Sequence, residues 1–529
     1  MPAAGQRRLR LIVAALVAAV LLSSLDGMIF NTALPTIVGQ LHGIARMSWV
    51  PTAYLLTTAI TMPVYGKLGD LVGRKWLFVV ALALFLSGSV VGGLAGSMPV
   101  LIAARAVQGL GAGGLMVLAQ AIIADVVPPR ERGRYMAVVG SVFIFSSVAG
   151  PLLGGWFTTT IGWRWAFWMN VPIAVLAIVA AITLLHPARA TGHPRVDVPG
   201  IALMSVAVTG LLALTSFGGR TMAWTSPPAL ALGTIAVLAT AGFVMAERRA
   251  CEPLIPLRLL ADRDFVLATV GGLCGALAMF GAAGYLPTYL QMVDGLTPSV
   301  AGLFMVPMVA GIGTTSFTSG HLMSRTGRYA WMPVAGAVVV AAALVLLSQL
   351  RVSTPPWVVG AVAYLFGAGM GFGMQTLTIV AQNAFPSEVG TATASFAFFR
   401  EIGAALGAAA VGGLFTARLT TLLGARLPAR LGDAHSLTPA LAATLPADLR
   451  EHVAGAYHDA LTPVFLGLAP MMLAAAVLLL FVRERPVGTA HPAEPAREFQ
   501  TANELAPVEV SPDARGTRSG LGGIRRTAG

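Results

Sequence analysis

The sequence has few charged residues and few cysteines. Asp, Glu, Lys and Arg make up 11% of its 529 residues, whereas a soluble globular domain carries about 25%. A water-soluble chain of this length needs more polar surface than such a composition supplies. The two cysteines, Cys251 in a charged stretch and Cys274 in an apolar one, give no disulfide framework. These shortages exclude a soluble globular class and a disulfide-based scaffold.

Several functional motifs are also absent from the sequence. No segment has the form G-x-x-x-x-G-K-[ST], so ATP-driven pumping is not expected. No His/Cys cluster and no nucleophile–base pair stands out in the connections, and we predict neither a metal, a cofactor nor an enzymatic activity. The net charge of +12 comes from Lys and Arg in short stretches between apolar runs. Nucleic-acid binding is therefore not predicted, since no soluble domain is left to carry a basic groove.

Apolar residues amount to 56% of the chain and are gathered into long runs. Crossing the hydrocarbon core takes about 20 apolar residues. Fourteen segments approach this length, which predicts an all-α polytopic membrane protein. The predicted spans lie near residues 11–33, 47–65, 77–96, 99–124, 135–157, 165–185, 199–217, 228–246, 264–291, 299–320, 330–350, 356–383, 391–417 and 461–482.

Lys and Arg are concentrated in every second connection between these spans, and this bias predicts the orientation of the chain in the membrane. With the N-terminus in the cytoplasm, the short outer connections hold only Arg46, Arg164, Arg220 and Arg351. An even number of spans returns the C-terminus to the cytoplasm and leaves the long loop 418–460 outside. The tail 484–529 has no apolar periodicity and is predicted to be disordered. The first span follows three arginines without a small-residue cleavage site, so we interpret it as uncleaved.

The two ends of the chain repeat one another, as the halves of secondary transporters often do. We predict a six-helix bundle at 1–190, a two-helix insertion with its connections at 191–262, and a second six-helix bundle at 263–483, with a central cavity. An offset of 254 aligns Gly66, Gly73 and Arg74 with Gly320, Gly327 and Arg328. An offset of 257 pairs Gly114 with Gly371, Pro129 with Pro386, Gly133 with Gly390, Gly150 with Gly407, and Gly155 with Gly412.

The connection between the second and third spans combines glycines with opposite charges. It reads Gly66-Lys-Leu-Gly-Asp70-Leu-Val-Gly73-Arg74-Lys75. Glycines allow helix ends to approach closely and the chain to turn sharply. A basic topogenic loop explains the cations but neither the glycines nor the acid. We predict a gating loop in which Asp70 and Arg74 need partners at the membrane edge, with Asp125 as a candidate.

This connection resembles the signature loop of the major facilitator superfamily, and three further segments agree. Leu25-Asp26-Gly-Met-Ile-Phe-Asn31-Thr-Ala-Leu34-Pro35 and Arg105-Ala-Val-Gln108-Gly109-Leu-Gly111 resemble first-span and fourth-span motifs of its fourteen-helix drug:proton antiporter family. Gly150-Pro151-Leu-Leu-Gly154-Gly155 resembles the fifth-span antiporter motif, a close-packing and kinked segment that the resemblance associates with exchange. Two residues depart from the family pattern. Met28 stands where the family often has a polar residue, and Ser324 stands in the second copy of the signature loop where Asp70 stands in the first.

Asp26 and Arg105 are opposite charges inside predicted spans. Counting 1.5 Å per residue from Leu11 and from Val100 places each about 8 Å from the outer face. Intramembrane charges are costly and are usually paired or functional. We predict that Asp26 carries the proton and that Arg105 modulates its proton affinity. A static structural ion pair is the alternative.

Arg400 and Glu401 lie near the middle of the thirteenth span. Sequence neighbours do not share a helix face, so each needs its own partner or water. Glu401 is a candidate second proton or cation site. The alternative is that one residue lines the cavity while the other pairs with a neighbouring helix.

The resemblance implies a proton-coupled antiporter of a bacterial inner membrane, a monomer that exports hydrophobic or cationic small molecules such as antibiotics. Aromatic faces attract organic cations, and apolar pockets with few polar groups suit hydrophobic ligands. An exporter of a lipid, glycolipid or secreted metabolite is the alternative, and a non-transporting sensor is a third. The predicted substrate-binding residues are Asn31, Tyr54, Phe143, Phe145, Tyr285, Tyr289, Gln291, Gln375, Phe396 and Phe399.

Overall fold

A computed structural model describes residues 3–41, 46–47, 49–128, 131–185, 197–218, 222–423 and 445–484. Regular structure within these ranges is helical, and β-pairing there is limited to one isolated bridge between Gly218 and Met222. The all-α prediction is therefore confirmed. The tail predicted to be disordered falls outside the described ranges from residue 485 onward.

The helices follow the predicted spans closely. In the N-terminal half they are α1 (Ala3–Gln40), α2 (Trp49–Val72), α3 (Arg74–Gly93), α4 (Met98–Val126), α5 (Arg132–Thr159), α6 (Trp165–Trp168) and α7 (Asn170–Leu184). The insertion forms α8 (Val198–Phe217) and α9 (Pro227–Arg249). The C-terminal half has α10 (Leu257–Ala261), α11 (Arg263–Ala278), α12 (Leu286–Met292), α13 (Pro298–Leu303), α14 (Met305–Thr326), α15 (Trp331–Ser348), α16 (Pro356–Ala384), α17 (Val389–Leu423) and α18 (Ala447–Leu479).

Among the described residues, 13 helical segments are long and apolar enough to cross a membrane. The predicted span that is missing from these 13 is the second, which forms α2, and the threonines, tyrosines and prolines of α2 lower its hydropathy. It still has 24 residues and packs against α4 and α17. Its polar side chains therefore face protein rather than lipid, as is common for such residues in membranes.

Two sets of helices and one inserted pair make up the fold. In the N-terminal set, α1 packs on α5 and α7, and α4 packs on α2 and α3. In the C-terminal set, α16 packs on α14 and α15, and α11 packs on α17. The sets meet mainly through α2 with α17 and α5 with α14. Helix α8 lies on α2 and α17, so the insertion covers one of these two seams.

Two segments differ from the predicted boundaries. The predicted loop 418–460 is too long, because α17 continues to Leu423 and α18 already begins at Ala447. The ninth predicted span is not a single α-helix, since a π-helix at Met279–Ala283 separates α11 from α12. Short π segments are frequent at functional sites, and this one lies beside the cavity described below.

The repeat has a direct backbone signature. Gly73 precedes α3 with φ 96°, and Gly327, its counterpart at an offset of 254, follows α14 with φ 71°. Residues with a side chain rarely adopt this region. The repeated glycines therefore mark a change of chain direction at the same place in both halves.

Candidate functional site

A cavity of about 1150 Å³ lies between the two halves. The N-terminal half contributes Tyr54 and Met116, the C-terminal half contributes Gly275 and Gln375, and α8 contributes Thr215. Both bundles and the insertion therefore enclose one shared space. The lining also extends to the side where α2 begins and α17 ends. There it includes Met47, Val50, Gly413 and Thr416, and we call this side the open end.

The wall of the cavity is largely apolar and adaptable. Its aromatic residues are Phe30, Tyr54, Phe143, Phe280, Tyr285, Phe396, Phe415 and Tyr457. Its methionines are Met28, Met47, Met62, Met116, Met279, Met370, Met374 and Met472. Flexible, polarisable methionines occur where a surface accepts ligands of different shape. Sequence reasoning missed them, because an isolated methionine in an apolar span looks like a core residue.

Asp26 and Arg105 form a fully buried ion pair between α1 and α4. Their side chains are 0% and 2% exposed. Arg105 Nη1 also donates to Gln108 Oε1 at 2.8 Å. A buried pair of this kind is tolerated only when further hydrogen bonds satisfy its atoms. The spatial pairing follows from the shared depth that the sequence indicates.

Three neutral residues complete the surroundings of Asp26. Gln108 and Asn170 each donate from their side-chain amide to Asp26 Oδ1 at 3.1 Å. Gln108 Nε2 also donates to Ser89 Oγ at 2.9 Å. The carboxylate is thus held by α4 and α7 together. Gln108 belongs to the fourth-span motif, but nothing in the sequence indicated Ser89 or Asn170.

Arg105 separates Asp26 from the cavity. Its guanidinium lies over the rings of Tyr54 and Phe30, with Cζ 4.1 Å and 4.4 Å from the ring centroids. Arg105, Tyr54 and Phe30 line the cavity, whereas Asp26 is not among its lining residues. The Asp26 carboxylate is therefore connected to the cavity lining through its ion pair with Arg105.

Arg400 and Glu401 both line the cavity. This differs from the alternative in which one of them pairs with a neighbouring helix. Arg400 Nη2 lies 3.8 Å from Met116 Sδ, a weak acceptor. Within the described ranges, the Glu401 carboxylate makes no hydrogen bond and no ion pair within 4 Å.

The end of the cavity opposite the open end is closed by direct contact between the halves. A Cβ built on Gly66 of α2 would lie 2.6 Å from the carbonyl oxygen of Gly390 in α17. The repeat shows the same contact, since a Cβ on Gly320 of α14 would lie 2.6 Å from the Gly133 oxygen in α5. We call this the closed end. Only glycine permits backbones to approach so closely.

A chain of charges crosses the closed end. Asp70 accepts hydrogen bonds from Gly390 N at 3.0 Å, Thr391 N at 2.6 Å and Thr391 Oγ1 at 2.8 Å. Arg74 Nη2 pairs with Asp70 at 2.6 Å, and its Nη1 pairs with Asp125. The carboxylate thus caps the N-terminus of α17, where the helix dipole favours an anion. The predicted partner Asp125 is in place, but the link to the other half was not foreseen.

The connection after α9 adds a second link at this end. Lys67 Nζ pairs with Glu252 at 2.6 Å, and Arg258 pairs with Glu388 next to the start of α17. The buried Glu247 accepts from the backbone of Leu254 and Ile255 and so fixes this connection. The insertion is therefore joined to both halves.

The predicted antiporter motif is a packing surface in part. A Cβ on Gly154 would lie 2.7 Å from the Ile29 oxygen, and one on Gly150 would collide with Met28, so α5 presses on α1. Pro151 is exposed. Gly155 does not take part in this packing, because no other segment lies within 4 Å of a Cβ built there. It falls on another side of the helix from Gly154.

Half of the predicted substrate-binding residues line the cavity: Tyr54, Phe143, Tyr285, Gln375 and Phe396. Phe145 does not, because it is 57% exposed on a different face of α5 from Phe143. Tyr289 is buried and hydrogen-bonded to His458 Nδ1 at 3.1 Å, while Gln291 donates to Pro287. Phe399 lies outside the lining and contacts Phe398 edge to face. The side chain of Asn31 lies outside the described part of the structure.

The closed end yields a first prediction. Asp70→Ala removes the three hydrogen bonds that α17 donates to this carboxylate, each worth about 1.5–3 kcal/mol. Since about 1.4 kcal/mol is a tenfold change in an equilibrium, we expect this end to open at least about tenfold more often. The rate at which a maleimide labels a Met374→Cys thiol from this side, in a chain without Cys251 and Cys274, measures the change.

Ser324→Ala is the matched control for this prediction. Ser324 is the repeat counterpart of Asp70, but in the described part of the chain its hydroxyl donates to His321 O within its own helix. Its labelling rate should match that of the parent chain. Equal rates in the Asp70→Ala and Ser324→Ala chains would contradict a role of Asp70 in closure.

Residues 16–408 match the sequence profile of the Major Facilitator Superfamily. An uncharacterized MFS-type transporter of Mycobacterium tuberculosis is 39% identical over 486 residues, which are 92% of this chain and 71% of the relative. Two relatives are from Bacillus subtilis. The Multidrug transporter protein MdtP is 34% identical over 84% of this chain and 82% of its own length. Multidrug resistance protein 3 is 30% identical over 92% of this chain and 98% of its own length.

Solved structures share the fold. The human organic anion transporter MFSD10 has a TM-score of 0.57 at 15% identity, covering 89% of this chain and 99% of its own. The proton:xylose symporter XylE has a TM-score of 0.55 at 15% identity, covering 90% and 97%. At such low identity these likenesses concern the fold alone. Together with the sequence matches, they lead to one conclusion: the chain belongs to the major facilitator superfamily and is a multi-pass membrane transporter, not an enzyme.

Proposed function

We propose that this transporter is a proton-coupled antiporter that exports hydrophobic or cationic small molecules from a bacterial cell. The observation that carries this proposal is the buried Asp26–Arg105 pair in the wall of a largely apolar cavity, which Arg105 itself lines. Such a pair holds a titratable carboxylate beside a substrate site, as coupling of protons to substrate requires. The names of the two Bacillus subtilis relatives support efflux of drugs.

The arrangement of the two ends supports alternating access. We place the closed end and both termini in the cytoplasm of a bacterium with the protein in its inner membrane, so the conformation described here is outward-open. Substrate leaves through the open end in this state. A proton from outside then reaches Asp26 past Arg105 and Tyr54.

Protonation of Asp26 changes the forces on Arg105. The neutral acid no longer attracts the guanidinium, which then has Gln108 and the faces of Phe30 and Tyr54 as its neighbours. The wall between α1 and α4 is thereby loosened, which favours opening of the closed end. Deprotonation toward the cytoplasm and binding of new substrate restore the pair. This scheme gives substrate and proton opposite directions.

The lining of the cavity supports the proposed cargo. Methionines and aromatic rings accept apolar molecules of different shape, and Glu401 offers a carboxylate to a cationic one. A volume of about 1150 Å³ slightly exceeds the usual range of 300–1,000 Å³ for small-molecule pockets. Large planar cations such as ethidium are therefore suitable probes.

Substrate-driven proton movement tests the proposal. We expect the purified protein in liposomes to release protons from the lumen when ethidium is driven inward, read by a pH-sensitive dye. Empty liposomes and liposomes with protein but without ethidium are the controls. Ethidium movement without proton movement would contradict antiport, and movement of a fluorescent lipid in place of ethidium would favour the lipid-export alternative.

A further inference from the structure

Among the described residues, the charged side chains that line the cavity belong to Arg105, Arg400 and Glu401. Asp26 balances Arg105. The charges of Arg400 and Glu401 on α17 are therefore available to contact a ligand. Both side chains reach the cavity, and neither forms an ion pair with another described residue.

Arg400 and Glu401 do not neutralise each other at close range. Consecutive residues point about 100° apart around a helix, and no ion pair within 4 Å joins these two. The contact of the guanidinium with Met116 sulfur is a poor substitute for an anion. The cavity thus presents a separate cation and a separate anion side by side on one helix.

Small residues extend from each charge toward the open end. Helix positions four apart lie on one face, so α17 has two columns. The first is Arg400, Ala404, Ala408 and Gly412, and the second is Glu401, Ala405, Ala409 and Gly413. All eight residues line the cavity. The small residues from Ala404 to Gly413 span nine residue steps, about 14 Å, and form a largely apolar groove with both charges at its inner end. The Tyr285 hydroxyl lies against Ala408 and Gly412 near the outer end of this groove.

We propose that this groove binds amphiphilic zwitterions, with the acidic group on Arg400, the basic group on Glu401 and the apolar part along the small residues. A guanidinium such as that of Arg400 binds a carboxylate through two parallel hydrogen bonds in one plane. A simple ammonium group does not offer this geometry. The inference rests on the proposed function, because it takes this cavity to be the transport site. It extends the cargo from hydrophobic and cationic molecules to those that also carry an acid.

Two dyes that differ by one ester group test the proposal. Rhodamine 110 carries a delocalised cation and a free carboxylate, and rhodamine 123 is its methyl ester. Their dissociation constants are measured by fluorescence anisotropy with the full chain in nanodiscs and without a proton gradient. We expect Arg400→Gln to weaken rhodamine 110 at least tenfold and rhodamine 123 less than twofold. Glu401→Gln should weaken both dyes, since both carry the cation.

Arg418→Gln is the matched control, since Arg418 lies on the same helix but outside the cavity lining and donates to Asp459 O. It should change neither dissociation constant. The retained affinity for rhodamine 123 shows that the Arg400→Gln chain is folded. If Arg400→Gln weakened both dyes equally, or neither, the inference would be wrong.

Failure of this inference and failure of the proposed function are distinguishable. If Arg400→Gln weakened rhodamine 110 selectively but the parent chain showed no gradient-driven transport, the antiport proposal alone would be wrong. If the parent chain exported ethidium in response to a proton gradient but Arg400→Gln left both dye dissociation constants unchanged, the zwitterion site alone would be wrong.

Discussion

Replacing Asp26 with asparagine is expected to lower pH-gradient-driven transport at least tenfold while substrate still binds. Asparagine keeps the shape and can still accept from Gln108, but it cannot carry the proton. The substitution also leaves Arg105 buried without its anion, and breaking a buried pair costs about 3–5 kcal/mol. Transport in inverted vesicles gives the rate, and substrate binding together with the melting temperature reports the fold.

A matched substitution separates coupling from simple damage. Asp197→Asn changes an aspartate that caps α8 and accepts from Gly200 N at 2.9 Å. Asparagine caps a helix about as well as aspartate, so transport should stay within about twofold of the parent chain. Full gradient-driven transport in the Asp26→Asn chain would show that the ion pair is structural and that another residue carries the proton.

A second large effect is expected from adding one carbon at the closed end. The Cβ of Gly66→Ala would meet the Gly390 oxygen and the side chain of Ala394 at distances that force the helices apart. Closure of this end is then prevented, and transport should fall at least tenfold. Spin labels at Val72 and Ser387, read by double electron–electron resonance, should show a longer distance across α2 and α17.

Gly467→Ala serves as its control, because no other segment lies within 4 Å of a Cβ built at Gly467 in α18. Alanine generally favours a helix over glycine, so this chain should be at least as stable as the parent. An unchanged label distance in the Gly66→Ala chain would show that the close contact is not needed for closure.

Sequence reasoning succeeded where depth and spacing constrain contacts. Counting residues along two spans brought Asp26 and Arg105 to one level, and the cost of an unpaired intramembrane charge made contact the expected outcome. The same logic gave Arg74 its partner Asp125, since both lie at the same membrane edge. The internal repeat aligned Gly66 with Gly320 and Gly133 with Gly390, but it did not predict that these glycines meet across the seams.

It failed where the rotation of a helix decides the environment. Phe143 and Phe145 are two residues apart, which turns one into the cavity and the other away from it. In a span that is apolar on all sides, no periodicity shows which face is inside. The same limit hid the methionines and separated Gly155 from Gly154. The bonds from Asp70 to α17 were missed because they join residues 320 apart in the chain.

Main-chain atoms of glycines make close contacts in both seams between the halves, and this limits how substitution can change the strength of these seams. A surface of side chains is adjusted by exchanging large residues for small ones, but Gly66, Gly133, Gly320 and Gly390 have no smaller replacement. What remains variable is charge, and in the described residues it differs between the repeats at Asp70 and Ser324. The two seams that form the closed end thus differ in one carboxylate, so we expect α2 and α17 to cost more free energy to separate than α5 and α14, and the halves to part asymmetrically.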